Sequence, residues 1–277
     1  LRGNETITGL TQDTDSGTFR YMGDEDSAAD TYTMHDFGDT DFYNLTVNPT
    51  DAADVFQSGA AKSVAGTMNV TQGTYNANGQ TTTVTGAATV DGGTYQASTA
   101  TQTFNGGLTI SSGTFTGSSG TVDVNGAVAL SGGTLTAPSG TFTVSGDWTK
   151  TGGTFTPGTN RVTFDGSGIQ NFNSGGSSFY AITSGTSLPS GQVLLTAALT
   201  VTNNVTINTD AYLNLGGFNW TMTGATFSNN GTLLLAGTET ITGLTQDTDS
   251  GRWYYSVSTG TVTIKDFGDT DYYDLHI

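Results

Sequence analysis

The chain has no cysteine, only two histidines, and only seven lysine and arginine residues in 277. Without cysteine it forms neither disulfides nor metal sites with thiolate ligands. A net charge of −17 argues against a nucleic-acid partner, because phosphate contacts need a surface rich in Lys and Arg. No apolar run approaches the ~18 residues of a membrane span, and no signal-peptide pattern opens the sequence. We therefore expect no membrane span in this segment.

What the chain has instead is a repeat of 20 residues. Residues 65–164 divide without a gap into five blocks, which read AGTMNVTQGTYNANGQTTTV, TGAATVDGGTYQASTATQTF, NGGLTISSGTFTGSSGTVDV, NGAVALSGGTLTAPSGTFTV and SGDWTKTGGTFTPGTNRVTF. Within a block the inward positions form pairs spaced by two, which is the spacing of β-strands and not of helices. Glycine occupies the second and ninth positions, where the chain must bend. Each block therefore predicts three short strands and three bends.

Stacked blocks pair each strand with the equivalent strands above and below. The sequence predicts an all-β parallel β-helix (β-solenoid) with three strands per coil; the residues leave the handedness open, with a right-handed coil favoured. The inward positions align as core ladders. Their predicted members are Met68, Val70, Tyr75, Tyr95, Phe104, Phe115, Leu135, Phe155 and Phe164. An exposed aromatic face for sugar stacking is the alternative, which the inward phase of these residues disfavours.

A second, longer period is laid over the first. LRGNETITGLTQDTDSG at the start returns as LAGTETITGLTQDTDSG from Leu235, and DFGDTD at 36–41 returns at 266–271. We interpret 1–234 as one full repeat unit and 235–277 as the start of the next. Residues 1–54 form acidic coils with an inserted loop at 23–30, because the second copy is four residues shorter between these anchors.

Neither end of the sequence reads as a cap for exposed strand edges, so we expect adjacent repeats to continue head to tail. A coil advances ~4.8 Å, and a unit of roughly 12 coils would then advance ~55 Å. A head-to-tail contact of this kind does not close and gives a filament. The expected partner is therefore a further repeat, in the same chain or in another molecule.

Acidic residues concentrate in one band per repeat unit. Residues 1–54 hold 12 Asp and Glu, whereas the 180 residues 55–234 hold five. Ca²⁺ binds six to eight oxygen ligands of this type, so a Ca²⁺ site and a merely solvated acidic surface are both open. The band consists of Asp13, Asp15, Asp24, Asp26, Asp39, Asp41, Asp247, Asp249, Asp269 and Asp271. No cofactor is required by this interpretation.

Two further functions and one modification have some support in the residues. Sugar lyases and hydrolases use paired carboxylates on β-helices, but His35 and His276 align with Lys265 and Thr46 in the other copy, so no catalytic residue is predicted. Alternating threonines at 81 and 83, 101 and 103, and onward resemble an ice-binding face, although Asp123 and Arg161 interrupt the ladder. Six sequons occur, and we expect Asn69 and Asn219 to point outward, where a glycan would fit.

Three phrases carry a resemblance to a known class of proteins. GTFTPGTNRVTFDGSGIQ at 153–170, DFYNLTVN at 41–48 and NVTINTDAYLNLGGFNWTMTG at 204–224 resemble recurring phrases of very large prokaryotic cell-surface proteins with adhesin-like β-helix stalks. The resemblance implies an extracellular structural or adhesive role, with surface glycans as one class of partner. It carries over no catalytic residue.

Overall fold

A computed structural model describes residues 1–10, 13–38, 40–185, 191–245, 247–256, 261–267 and 271–277. Within these ranges the chain has strands and no helix, and the strands stack in parallel as a β-solenoid of about 12 turns. This confirms the predicted fold class. The described part accordingly contains no helix with the length and hydropathy needed to cross a membrane.

The strands are short and follow one another at regular intervals. In the first half of the chain they are β1 Thr18–Tyr21, β2 Thr31–Met34, β3 Asn44–Val47, β4 Val55–Ser58, β5 Lys62–Val64, β6 Met68–Val70, β7 Thr74–Asn76, β8 Thr82–Val84, β9 Ala88–Val90, β10 Thr94–Gln96, β11 Gln102–Phe104, β12 Leu108–Ile110, β13 Thr114–Thr116, β14 Val122–Val124, β15 Val128–Leu130 and β16 Thr134–Thr136. In the second half they are β17 Phe142–Val144, β18 Trp148–Lys150, β19 Thr154–Thr156, β20 Arg161–Phe164, β21 Ile169–Asn173, β22 Ser178–Ser184, β23 Gln192–Leu195, β24 Leu199–Ile207, β25 Tyr212–Asn214, β26 Trp220–Met222, β27 Thr226–Asn229, β28 Thr232–Leu235, β29 Ile241–Thr242, β30 Arg252–Tyr255 and β31 Asp274–His276.

The chain forms two compact units, one of residues 1–142 and 151–158 and the other of residues 143–150 and 159–277. In the first unit three parallel sheets run in the orders β1-β3-β6-β9-β12-β15, β2-β4-β7-β10-β13-β16-β19 and β5-β8-β11-β14. In the second, β18-β21-β23-β25-β28-β30-β31 and β20-β22-β24-β26-β29 are parallel sheets, and β27 also pairs with β24. This division by compactness does not fall at residue 234, where the sequence repeat begins again.

Register follows the 20-residue period in the first unit. Tyr95 lies opposite Tyr75 on one side and Phe115 on the other, and Phe115 is followed by Leu135 and Phe155. All nine predicted ladder residues are buried. The rings of Tyr95 and Phe115 stack with centroids 5.1 Å apart and an interplanar angle of 13°. The inward column is therefore a continuous aromatic and aliphatic core.

Two tyrosines in this column place hydroxyl groups in the core, and each has a polar partner in its own coil. The Tyr75 hydroxyl lies 2.8 Å from Thr82 Oγ1, and Tyr95 donates to Gln102 Oε1 at 2.6 Å. In the next coil the tyrosine is replaced by Phe115, and the polar partner is replaced by the buried Val122. The inward polar residue thus occurs where a buried hydroxyl needs it.

Close approach of successive coils explains both glycine columns, and a positive φ adds to it at four of the five ninth positions. At the second position of the block, a Cβ on Gly106 would overlap the backbone of Gly86 and would lie 2.7 Å from the nitrogen of Ala87. Close approach of successive coils therefore selects glycine there. At the ninth position Gly113 and Gly133 have φ of 71° and 61°, in the left-handed region that favours glycine.

The longer repeat is visible in local structure. Glu5 accepts hydrogen bonds from the backbone N–H groups of Arg2 and Gly3, and Glu239 accepts them from Ala236 and Gly237. The same correspondence holds for two further pairs of contacts. The Tyr21 hydroxyl accepts from His35 N as Tyr255 does from Lys265 N, and Asp41 accepts from Phe37 N as Asp271 does from Phe267 N. Equivalent residues of the two copies therefore make the same contacts.

Candidate functional site: the acidic loop and the last coil

The predicted acidic band does not converge on one point. Asp13 accepts from the Ser16 hydroxyl and from Asp15 N in an exposed turn, which lowers the pKa of Asp13. Asp41 is instead buried, with Oδ1 3.3 Å from Lys62 Nζ. Burial raises the pKa of Asp41, although the Ser63 and Phe37 N–H groups and Lys62 oppose that rise. Asp41 thus serves the core and not an exposed ion site.

The band in the second copy is also dispersed. Asp247 accepts from the backbone N–H groups of Asn229 and Asp249, and Asp271 accepts from Phe267 N. Asp249 is exposed beside Ser250, whose hydroxyl donates to it. The remaining predicted members, Asp39 and Asp269, lie outside the described residues.

The inserted loop at 23–30, which we call the acidic loop, does bring carboxylates together. Single oxygen atoms of Asp24, Asp26 and Asp30 lie within 4.8 Å of one another. Among the described residues these form the one such group of three or more metal-ligating side chains. The predicted acidic band includes Asp24 and Asp26 but not Asp30. The inserted loop has no counterpart in the second copy, so the sequence pattern does not show which of its carboxylates converge.

Asp54 supports the acidic loop from its buried side. Its side chain is 1% exposed, and its Oδ1 accepts the backbone N–H of Asp30 at 3.1 Å. Its Oδ2 is buried without a hydrogen-bond partner and lies against the Cα of Gly23, which has a φ of 71°. The Asp54 carboxylate therefore contacts both ends of the loop. No sequence signal pointed to it.

Tyr32 is the second buried polar group at the loop. It is 7% exposed, and its hydroxyl lies beside the Asp24 carboxylate without a well-formed hydrogen bond. Burial, followed by the neighbouring Asp24 carboxylate, raises the pKa of Tyr32 above its ordinary range. Burial also raises the pKa of Asp54, and the charges of Asp51, Asp30 and Asp24 add to the rise. Negative charge therefore accumulates around the loop.

The last coil of the second unit presents an apolar face. Leu275 and Ile277 are 37% and 79% exposed, whereas their equivalents in the first copy, Leu45 and Val47, are both 0% exposed. The difference has a simple cause. Leu45 lies between Phe19 of β1 and Met68 of β6, and Leu275 pairs with Trp253 on one side. A following coil is what buries this position in the first copy.

The other predicted surface positions are on the outside of the solenoid. Asn69 is half-buried in the middle of β6, and Asn219 is exposed, with its Oδ1 accepting Thr240 N at 2.8 Å. In the threonine ladder, Thr83 and Thr103 lie in register, and Asp123 follows them in the next coil. The ladder is interrupted as the sequence indicates.

The chain matches no protein-family model, no curated protein and no solved structure.

Proposed function

We propose that this chain is a structural module of an extracellular rod or filament, in which β-helix repeats stack head to tail to form a stalk, fibre or sheath at the cell surface. One observation carries the proposal. The second copy of the long repeat makes the same contact as the first, since Tyr255 accepts from Lys265 N as Tyr21 accepts from His35 N. Its strand β30 pairs in parallel with β28, at the end of the preceding repeat, so one repeat follows another within a single stack of strands.

Parallel pairing continues across the boundary between the two repeats. β30 pairs with β28 of the preceding repeat on one side and with β31 on the other. In a solenoid each coil contacts its neighbours alone, and stability grows with the number of interfaces. A stack in which the long repeat begins again therefore favours extension over closure.

The composition fits the proposed location. The chain lacks cysteine and carries a charge of −17, and the resemblance to prokaryotic surface stalks implies the outside of a cell. Binding of glycans through surface loops is the alternative role that this resemblance leaves. A glycan array on the purified chain separates an adhesive module from a passive one.

Electron microscopy of native material with an antibody against this chain tests the proposal. We expect labelled rods on intact cells, with label recurring every ~55 Å or a multiple of it. Label confined to permeabilised cells, or particles no longer than one unit, would contradict it.

A matched pair of variants tests the apolar face itself. Leu275→Asp places a charge on that face, whereas Ile169→Asp changes an apolar residue that is 62% exposed on β21. If repeats associate without covalent linkage, sedimentation should show assemblies for the unaltered chain and for Ile169→Asp, and loss of assembly for Leu275→Asp. Equal behaviour of the two variants would mean that the face is not the contact.

A further inference from the structure

The acidic loop has the dimensions of a site for one divalent ion. Oxygens bound to the same Ca²⁺ lie 2.3–2.6 Å from it, so two ligands on opposite sides are ~4.8 Å apart. The oxygens of Asp24, Asp26 and Asp30 fall within that separation of one another. Mg²⁺ demands near-ideal octahedral geometry and gives up its water reluctantly, so an irregular group of carboxylates favours Ca²⁺.

Two buried polar atoms at the acidic loop lack a well-formed hydrogen bond. They are Tyr32 Oη, beside the Asp24 carboxylate, and Asp54 Oδ2, against Gly23. A buried carboxylate oxygen without a partner is costly unless a cation lies near it, so Asp54 is an observation separate from the group of three that points to a bound cation.

In the part of the chain that the structure describes, no salt bridge joins these carboxylates to a protein cation. Arg2 donates through Nη1 to the backbone carbonyl of Asp24 at 3.4 Å, and not to a carboxylate of the group. Asp26 Oδ1 accepts a hydrogen bond from the Ala28 N–H at 2.8 Å, and this contact fixes the turn of the loop.

We propose that the acidic loop binds one Ca²⁺ ion through the carboxylates of Asp24, Asp26 and Asp30, and that Asp54 positions Asp30 from the buried side. Water completes the coordination on the exposed side, where Asp26 lies. Asp54 is a positioning residue, since it lies outside the group of three. The ion offsets the negative charge around Tyr32 and Asp54 and fixes the loop against its coil.

The second copy provides an internal comparison. Between the equivalent tyrosine and the DFGDTD phrase, the first copy has four Asp and Glu before His35 and the second copy has none before Lys265. The proposed site is therefore specific to the inserted loop. It occurs once in this chain, although the repeat that surrounds it begins twice.

Calorimetric titration of the full chain with CaCl₂, after chelation and dialysis, tests the proposal. We expect one ion per chain with a dissociation constant of ~10⁻⁴–10⁻³ M, as in extracellular modules, and clearly weaker binding of MgCl₂. Asp26→Asn and Asp30→Asn should each weaken Ca²⁺ binding by at least ~10-fold. Asp13→Asn, in the same acidic band, is the control and should bind as the unaltered chain does.

Asp54→Asn separates a role at the site from a role in the core. Asparagine keeps the oxygen that accepts the Asp30 N–H but removes the buried charge. We expect this variant to melt at a higher temperature without Ca²⁺ and to show a smaller Ca²⁺-induced rise, with affinity lowered ~10–100-fold. A residue that only supports the coil would leave the affinity unchanged.

Three results would overturn the proposal. They are the absence of saturable Ca²⁺ binding, unchanged affinity in the Asp26 and Asp30 variants, and Mg²⁺ binding as tight as Ca²⁺ binding, which would indicate diffuse attraction of counterions. The comparison of the two ions needs no variant, so it decides the matter even if a substitution prevents folding. None of these results bears on the stacking of the last coil.

Discussion

Tyr95 and Gln102 form a buried pair, and the next coil has Phe115 and Val122 in their place. Changing Tyr95 to Phe and Gln102 to Val together should lower the free energy of unfolding by less than the sum of the two single changes. Tyr95→Phe removes a buried hydroxyl that donates to Gln102 Oε1 at 2.6 Å. The lost hydrogen bond is worth ~0.5–1.5 kcal/mol, and the unpaired Gln102 oxygen costs ~1–3 kcal/mol. We therefore expect a loss of ~1–3 kcal/mol, with ring stacking on Phe115 retained.

Gln102→Val should cost at least as much. Its Nε2 donates to the carbonyl oxygens of Gln80 and Ala100 at 2.9 and 3.1 Å, and the Tyr95 hydroxyl also loses its acceptor. The double variant recreates the Phe115 and Val122 arrangement, which has no hydroxyl to satisfy. The two changes should thus be non-additive, and the double variant should cost less than their sum by ~1–2 kcal/mol.

Native-state hydrogen exchange is the suitable assay, because a solenoid opens locally and one melting temperature does not report on one coil. The amides to follow are those of β10 and β11. Tyr254→Phe, on a ring that is 39% exposed, is the control and should change stability by less than ~0.5 kcal/mol. Strictly additive costs would refute the view that the inward polar residue is there for the hydroxyl.

Three other changes test separate parts of the fold. Phe115→Ala should cost ~3–5 kcal/mol in local exchange, since the ring is fully buried, and a cost under ~1 kcal/mol would remove it from the core. Gly106→Ala should destabilise its coil because the new Cβ would overlap the backbone of Gly86, whereas Gly168→Ala should be tolerated because no atom lies within 4 Å of its Cβ. Equal changes in melting temperature would contradict selection of glycine by close approach of the coils. Lys62→Met should lower the free energy of unfolding by ~3–5 kcal/mol, because it leaves Asp41 buried without its cation, and adding Asp41→Asn should recover much of that loss. Urea unfolding that shows no recovery would mean that the two residues are not coupled.

The regular coils were predictable because their determinants are local and periodic. The spacing of Met68 and Val70, or of Thr82 and Val84, places alternate residues inward whatever the rest of the chain does. The spacing also places Gln102 inward, but spacing alone does not identify its partner. The covariation between coils is the signal that does, since the polar residue disappears in the coil where phenylalanine replaces tyrosine.

The irregular coils were not predictable from the period. β22 and β24 have seven and nine residues instead of three, and their register shifts between Phe179 and Ala181. A bulge of this kind depends on tertiary packing and has no spacing of its own. The acidic loop is similar, because Asp30 and Asp54 are 24 residues apart and meet only once the longer first coils fix their register.

The amide protection of β31 tests the central claim most directly. A copy of residues 48–84, which hold the coil that follows β3, is joined after Ile277, and a scrambled segment of the same composition serves as control. If repeats stack head to tail, the amides of 274–276 should become as protected from hydrogen exchange as those of 44–47, because a strand then lies on both sides of β31. Protection that stays at the level of the scrambled control would contradict the account.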